Sequence, residues 1–143
     1  MSTRPVVVMP DAVAVVTGYL RAALAAAGEP VPVVSRVPSP RPARFVRAER
    51  VGGMRQTVVS DRPRLDIHAW AETEAASADL AELVRALVHA MPGVRDGVTV
   101  YTVREVGGPM WLPDSESGQP RYAFAVEIHM RGSSLGTLDP SDF

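Results

Sequence analysis

Two segments of the chain alternate apolar and polar residues with a period of two. Leu65, Ile67, Ala69 and Ala71 are interleaved with Asp66, His68 and Trp70. Tyr122, Phe124, Val126, Ile128 and Met130 are interleaved with Ala123, Ala125, Glu127 and His129. Successive side chains of a strand point to opposite faces, so each run specifies a strand with one face in a core. An apolar sheet face needs a covering layer, and two helical patterns are available to supply it. Asp11 caps the first, and Val13, Val16, Leu20, Ala23, Leu24 and Ala27 form its stripe before Gly28 ends it. The second spans Glu74 to Met91, with Leu80, Leu83, Val84, Leu87, Val88 and Met91 on one side and Pro92-Gly93 as the stop.

The remaining segments fill in around this frame. Glu29 to Pro42 is Pro-rich, with a short strand expected at Val31, Val33 and Val34. Phe45 to Val51 reads as a strand, Gly52-Gly53 as a hairpin turn and Gln56 to Val59 as the return strand. Val98 to Val106 reads as a further strand. Gly107 to Pro120 reads as a long loop carrying Trp111, and Ser133 to Phe143 as a flexible tail. The expected fold is α+β in two layers: an antiparallel or mixed sheet with both helices packed on one face. One domain is expected over residues 1–132, followed by the tail at 133–143.

Composition narrows the function classes. A chain of 143 residues is one domain's worth of protein. It is 46% hydrophobic and 22% charged, ordinary for a folded domain. No run approaches the roughly 20 apolar residues of a spanning helix, and the first ten residues are too short for a secretory core, so a cytoplasmic site of synthesis is expected. The absence of Cys removes disulfides, zinc-thiolate sites and thiol nucleophiles. All 15 basic side chains are Arg, yet the net charge is -1, which argues against a nucleic-acid-coating role.

Catalytic signatures are missing. The double glycines Gly52-Gly53 and Gly107-Gly108 lack the spacing of a phosphate loop, and no Ser sits on a nucleophile elbow. Asp66-Ile67-His68 and Glu127-Ile128-His129 repeat a carboxylate-x-His pattern on two strands. Were those strands neighbours with the pairs side by side, Asp66, His68, Glu127 and His129 would form a nitrogen and oxygen set suited to a transition metal. The plainer reading is the polar face of two half-buried strands. His89 falls at the end of the second helix, where it meets the helix dipole.

The densest charge feature is Arg36, Arg41, Arg44, Arg47, Arg50, Arg55, Arg62 and Arg64. Glu49, Asp61 and Asp66 are interleaved with it, and Phe45 is its only aromatic, a poor platform for stacked bases. A subunit interface uses Arg equally well and fits the near-zero net charge. Trp111, in a segment of Gly, Pro and Asp, reads either as a plug over the sheet or as an anchor for a partner.

These residues carry a family resemblance. The run Val37-Pro38-Ser39-Pro40-Arg41-Pro42-Ala43-Arg44-Phe45-Val46-Arg47 with Arg50-Val51-Gly52-Gly53 is similar to the tail terminator proteins of long-tailed actinobacterial phages and prophages. So are Asp61, Pro63 and Leu65 to Ala71, the helix with Asp79-Leu80-Ala81 and Val84-Arg85, Gly108-Pro109 to Pro113-Asp114, and Pro120-Arg121-Tyr122 with Phe124. The resemblance covers about residues 10–132. It implies the lambda-type α+β fold and a virion structural protein without catalytic residues, cofactor or metal. Such subunits form a ring, typically of six, at the head-proximal end of the tail tube, at the tail–neck junction. The implied partners are further copies of the chain, the tube protein and the head–tail connector, with genomic DNA passing through the opening. Expected ring or tube contacts are Arg36, Arg41, Arg44, Arg47, Arg50, Gly52, Gly53, Arg55, Trp111 and Asp114. A different neck protein, such as a head-closure or adaptor component, is the alternative, with the metal-dependent enzyme a more distant one.

Overall fold

A computed structural model describes residues 3–139 and 141; residues 1, 2, 140, 142 and 143, some of which belong to the expected tail, lie outside the described part. The fold is α+β. Six strands form the main sheet in the order β2-β3-β4-β7-β6-β5: β2 (Val33–Val34), β3 (Phe45–Thr57), β4 (Ser60–Trp70), β7 (Arg121–Arg131), β6 (Val98–Trp111) and β5 (Gly93–Arg95). Only β2 and β3 run parallel; the other neighbours are antiparallel. β1 (Arg4–Val8) and β8 (Ser133–Leu138) form a separate two-stranded sheet.

Helices α1 (Ala12–Ala26) and α2 (Glu74–His89) cover one face of the main sheet. Each begins where a side-chain oxygen satisfies an orphan N–H of the first turn. Asp11 accepts from the Ala14 amide at 3.1 Å, and Thr73 accepts from the Ala76 amide at 3.0 Å. The core lies between layers. Val16, Leu20 and Leu24 of α1 and Leu80, Val84 and Val88 of α2 pack on Leu65, Ile67, Val126, Ile128 and Met130 of the central strands. Two polar ties fix the helices in place. The Tyr19 hydroxyl donates to the Leu87 carbonyl at 2.6 Å, and Arg85 Nη2 donates to Glu105 Oε2 at 2.7 Å, joining α2 to β6.

Four local expectations give way. Gly52-Gly53 is not the hairpin turn. β3 runs through it with a bulge between Arg50 and Gly53, and the turn is Val58-Val59, six residues beyond the glycines. Both glycines have positive φ, +120 and +92, and a Cβ on Gly53 would collide with the backbone of Arg62, Pro63 and Arg64. Their freedom is spent on a strand bend. The expected loop from Gly107 begins as strand, because β6 continues to Trp111 through register shifts between Glu105 and Gly107 and between Gly107 and Met110. Ser133–Leu138 is β8, paired with β1, where a loose segment was expected. β1 and β5, neither expected, are short and mostly exposed, and α2 ends at His89 rather than Met91.

Candidate functional site

The sheet face away from the helices carries most of the polar chemistry. Residues directly opposite on antiparallel strands share a face. Phe45 and Trp70, Arg47 and His68, and Glu49 and Asp66 are opposed across β3 and β4; His68 and Ala123, Asp66 and Ala125, and Arg64 and Glu127 are opposed across β4 and β7.

One end of this face is closed by a second, small apolar cluster. The Phe45 and Trp70 rings stack at 4.4 Å with 8° between planes, and both are buried outside the helix-covered core. The Arg121 guanidinium lies 5.4 Å from the Trp70 ring. Two irregular segments, 35–44 and 112–120, are pinned beside the cluster by Asp114. Its Oδ2 accepts from Trp70 Nε1 at 3.1 Å and from Arg41 Nη1 at 2.8 Å. Its Oδ1 accepts from the Glu116 and Ser117 amides at 2.9 and 3.3 Å. Burial opposes ionisation of Asp114, but the two amides, Trp70 and Arg41 outweigh it and hold the carboxyl down at about 2. Gln119 completes the clasp by donating to the Pro42 and Ala43 carbonyls at 3.3 and 2.8 Å.

The arginines singled out from sequence are largely engaged within the chain. Arg41 is held by Asp114; Arg44 pairs with Glu29 at 2.9 Å; Arg47 binds Glu49 and the Ser35 carbonyl, each at 2.9 Å. Arg50 binds the Gly52 carbonyl at 3.0 Å and lies 3.3 Å from buried Asp61. Arg55 donates to the Val7 carbonyl at 3.2 Å, tying the end of β3 to β1. Arg36 is exposed in the Pro-rich segment. Trp111 stays 41% exposed while its ring leans on Tyr122 at 5.4 Å, so it covers the sheet only in part.

Apart from Trp111, sequence reading missed the apolar surface. The β3–β4 arm, from Val51 to Val59, is exposed along its length and displays Val51, Met54, Val58 and Val59, with Met54 80% exposed. On the opposite flank β6 and the residue after it display Tyr101, Val106, Met110, Trp111 and Leu112. The available signal was the scatter of large apolar residues among Arg, Gly and Thr in segments too polar to be core.

The metal set does not assemble. Its four members share the outer face, but antiparallel pairing slides the two pairs apart. Asp66 faces Ala125, His68 faces Ala123, and Glu127 faces Arg64. His68 and Glu127 are therefore four strand positions apart, roughly 13 Å at about 3.3 Å per residue. Glu127 instead pairs with Arg104 at 2.9 Å, and His129 Nε2 lies 3.0 Å from the Ser60 hydroxyl. Among the described residues no group of three or more His, Asp or Glu could hold a metal ion. His68 stacks on Trp70 at 5.6 Å, and neither ring nitrogen has a hydrogen-bond partner. Burial, then the charges of Arg121 and Arg47, push its pKa below the usual value. It borders a shallow groove of about 220 Å³ with Met110, Leu112 and Ala123. His89, at the end of α2, lies 3.5 Å from Glu105.

The arrangement combines buried aromatic residues under clasped loops with exposed apolar residues on two separate strands. No helix among the described residues is long and apolar enough to cross a membrane. No curated protein sequence matches the chain. The family model described as phage tail termination protein does match, over residues 8–133, which takes in both helices and the whole six-stranded sheet. The chain thus belongs to the phage tail termination protein family.

Proposed function

We propose that copies of this chain assemble head to tail into a ring, six-membered as in the lambda-type pattern, on the head-proximal end of the tail tube. The ring stops further tube subunits from adding and offers its other surface to the head–tail connector, at the junction of tail and neck. Genomic DNA passes through the opening, and the overall charge of -1 suits a passage that must not grip phosphates. The chain acts by fitting and makes or breaks no bonds.

The observation that carries this reading is the pair of dissimilar apolar patches on opposite flanks of one sheet. Val51, Met54, Val58 and Val59 lie on the β3–β4 arm; Tyr101, Val106, Met110, Trp111 and Leu112 lie on and just after β6. A closed ring of identical subunits joins two different patches of each chain, whereas a two-fold dimer joins one patch to itself. Trp111 is the aromatic anchor we assign to the contact. Arg36 and Arg55, on the Pro-rich segment and at the arm, are the arginines best placed to reach a neighbour or the tube, and Arg41, Arg44, Arg47, Arg50 and Asp114 shape the loops that present them.

Light scattering on the purified chain, alone and with isolated tail tubes, tests the reading. A closed multimer in either condition, six-fold in mass, supports it. A chain that stays monomeric in solution and is not retained on tube ends contradicts it.

A further inference from the structure

Both flanks of the main sheet end in long strands that their outer neighbours scarcely cover. β2 pairs with β3 only at Val46 and Arg47, so β3 has no outer backbone partner from Glu49 to Thr57 among the described residues. β5 pairs with β6 only at Val98, Thr99 and Val100, so β6 has none from Tyr101 to Trp111. A bare strand edge is a row of unpaired N–H and C=O groups that templates another strand. Proteins blunt such edges with short strands, proline, inward charges or bulges. Both edges are bulged, β3 at Arg50/Gly53 and Arg55/Thr57 and β6 at Val100/Thr102 and Glu105/Gly107, which bends them without capping their N–H and C=O groups. Here Pro109 interrupts only the far end of β6, and the stretch from Tyr101 to Gly107 contains no proline. Both edges also carry exposed apolar side chains: Val51 and Met54 on β3, Tyr101 and Val106 on β6.

Strand direction decides which edge meets which. β3 with β4, β4 with β7 and β7 with β6 are each antiparallel, so β3 and β6 run in opposite directions. Rotating the chain about a ring axis preserves its up and down sense. It therefore brings the β6 edge of one copy against the β3 edge of the next in antiparallel pairing. Pairing β3 with β3, or β6 with β6, about a two-fold axis uses one edge and leaves the other bare. The heterologous arrangement consumes both edges on every copy, and closure removes the edge altogether.

We infer that the Tyr101–Gly107 edge of β6 adds to the Glu49–Thr57 edge of β3 of a second copy of this chain, making one sheet continuous around the ring. The occupant of each edge is thus the neighbouring subunit, and seven residues is an ordinary length for a paired strand. This assignment rests on the ring reading above and adds to it the backbone contact that would close the ring.

The chain has no native Cys, which makes cross-linking clean. Val51→Cys, Met54→Cys and Gln56→Cys are each combined with Tyr101→Cys, Thr102→Cys and Val106→Cys, and oxidised after light scattering has established the ring. At least one pair is expected to give a ladder of covalent multimers ending at the ring mass, with no single-Cys variant passing a dimer. In parallel, amide hydrogen exchange of the unaltered protein compares ring and monomer. Amides in both edge segments should slow on the order of tenfold or more on ring formation. A ring that forms with neither ladder nor protection overturns the pairing and leaves the ring reading standing. Efficient dimers from Met54→Cys or Val106→Cys alone also overturn it, because they place like edges together. Failure of any ring to form overturns both.

Discussion

Trp70 and Asp114, 44 positions apart, are joined by a hydrogen bond of 3.1 Å from the indole Nε1–H to the carboxylate, and Arg41 reaches the same oxygen at 2.8 Å. This one carboxylate links the buried end of β4 to both irregular segments. Asp114→Ala leaves the indole N–H and Arg41 without their acceptor and should cost about 2–3 kcal/mol. Trp70→Phe retains a stack on Phe45 and should cost about 1 kcal/mol beyond the lost ring area. The double variant should cost less than the sum, since the two share one bond. Urea unfolding of the four proteins checks this.

The same carboxylate gives an acid limb. Its pKa in the folded chain is about 2, below the ordinary value near 3.8. A depressed folded pKa means stability that is fully present above the unfolded value and lost as pH falls through the folded one. Asp114 should therefore contribute above about pH 4 and lose its contribution between about pH 4 and 2. Asp114→Asn should flatten the stability profile in that window when unfolding is followed across pH.

Gly53 and Gly52 separate strain from space. Both have positive φ, but a Cβ meets nothing within 4 Å at Gly52, whereas at Gly53 it would lie 2.6 Å from the Arg64 amide nitrogen. Gly53→Ala should cost about 1–3 kcal/mol and loosen the β3–β4 arm, and Gly52→Ala should cost less. Thermal unfolding, with proteolysis of the arm, distinguishes the two.

His68 is a half-buried imidazole whose two ring nitrogens are buried without partners, and its pKa is lowered by burial and by Arg121 and Arg47. Folding favours the neutral ring, so its contribution is intact above the ordinary value of 6.5 and falls as pH drops below it. His129 is shifted the same way, by burial and by Arg62. His68→Phe keeps an aromatic ring beside Trp70 and removes the unpaired polar atoms, so it should be neutral or stabilising near pH 7. It should also reduce the loss of stability on acidification from pH 6.5. An NMR titration of the three His residues, with unfolding curves at each pH, measures both effects.

The helices and central strands were legible because burial on one face writes a period into the sequence: Leu80, Val84 and Val88 at helical spacing, Leu65, Ile67 and Ala69 at strand spacing. The bulges were not. Gly52-Gly53 carries the composition of a tight turn, yet its positive φ angles bend a strand, and the true turn is Val58-Val59. Thr57 stands in for turn chemistry there, its hydroxyl lying 2.7 Å from the Ser60 hydroxyl and accepting from the Val59 amide at 3.2 Å. β8 left no pattern because all six of its residues are exposed, so no face selects apolar side chains. At the candidate site, sequence pointed to arginines because charge is conspicuous. The exposed apolar residues Met54 and Met110 passed unnoticed because one such residue on a polar strand carries no period.

Trp111 offers a separation of assembly from folding. It is 41% exposed and touches Tyr122 at the sheet margin. Trp111→Ala should change stability by about 1 kcal/mol or less while reducing the ability of added protein to cap purified tail tubes. Unfolding curves and electron micrographs of tubes incubated with each protein provide the comparison.

The central claim is that this chain ends tube growth. The direct measurement is the length distribution of tails, by electron microscopy, in lysates of phage carrying a stop codon early in this chain's gene. The account predicts tails that run past the normal length and remain unjoined to heads, with normal length and joining restored by the intact protein. Tails of normal length, already attached to heads without it, would contradict the account.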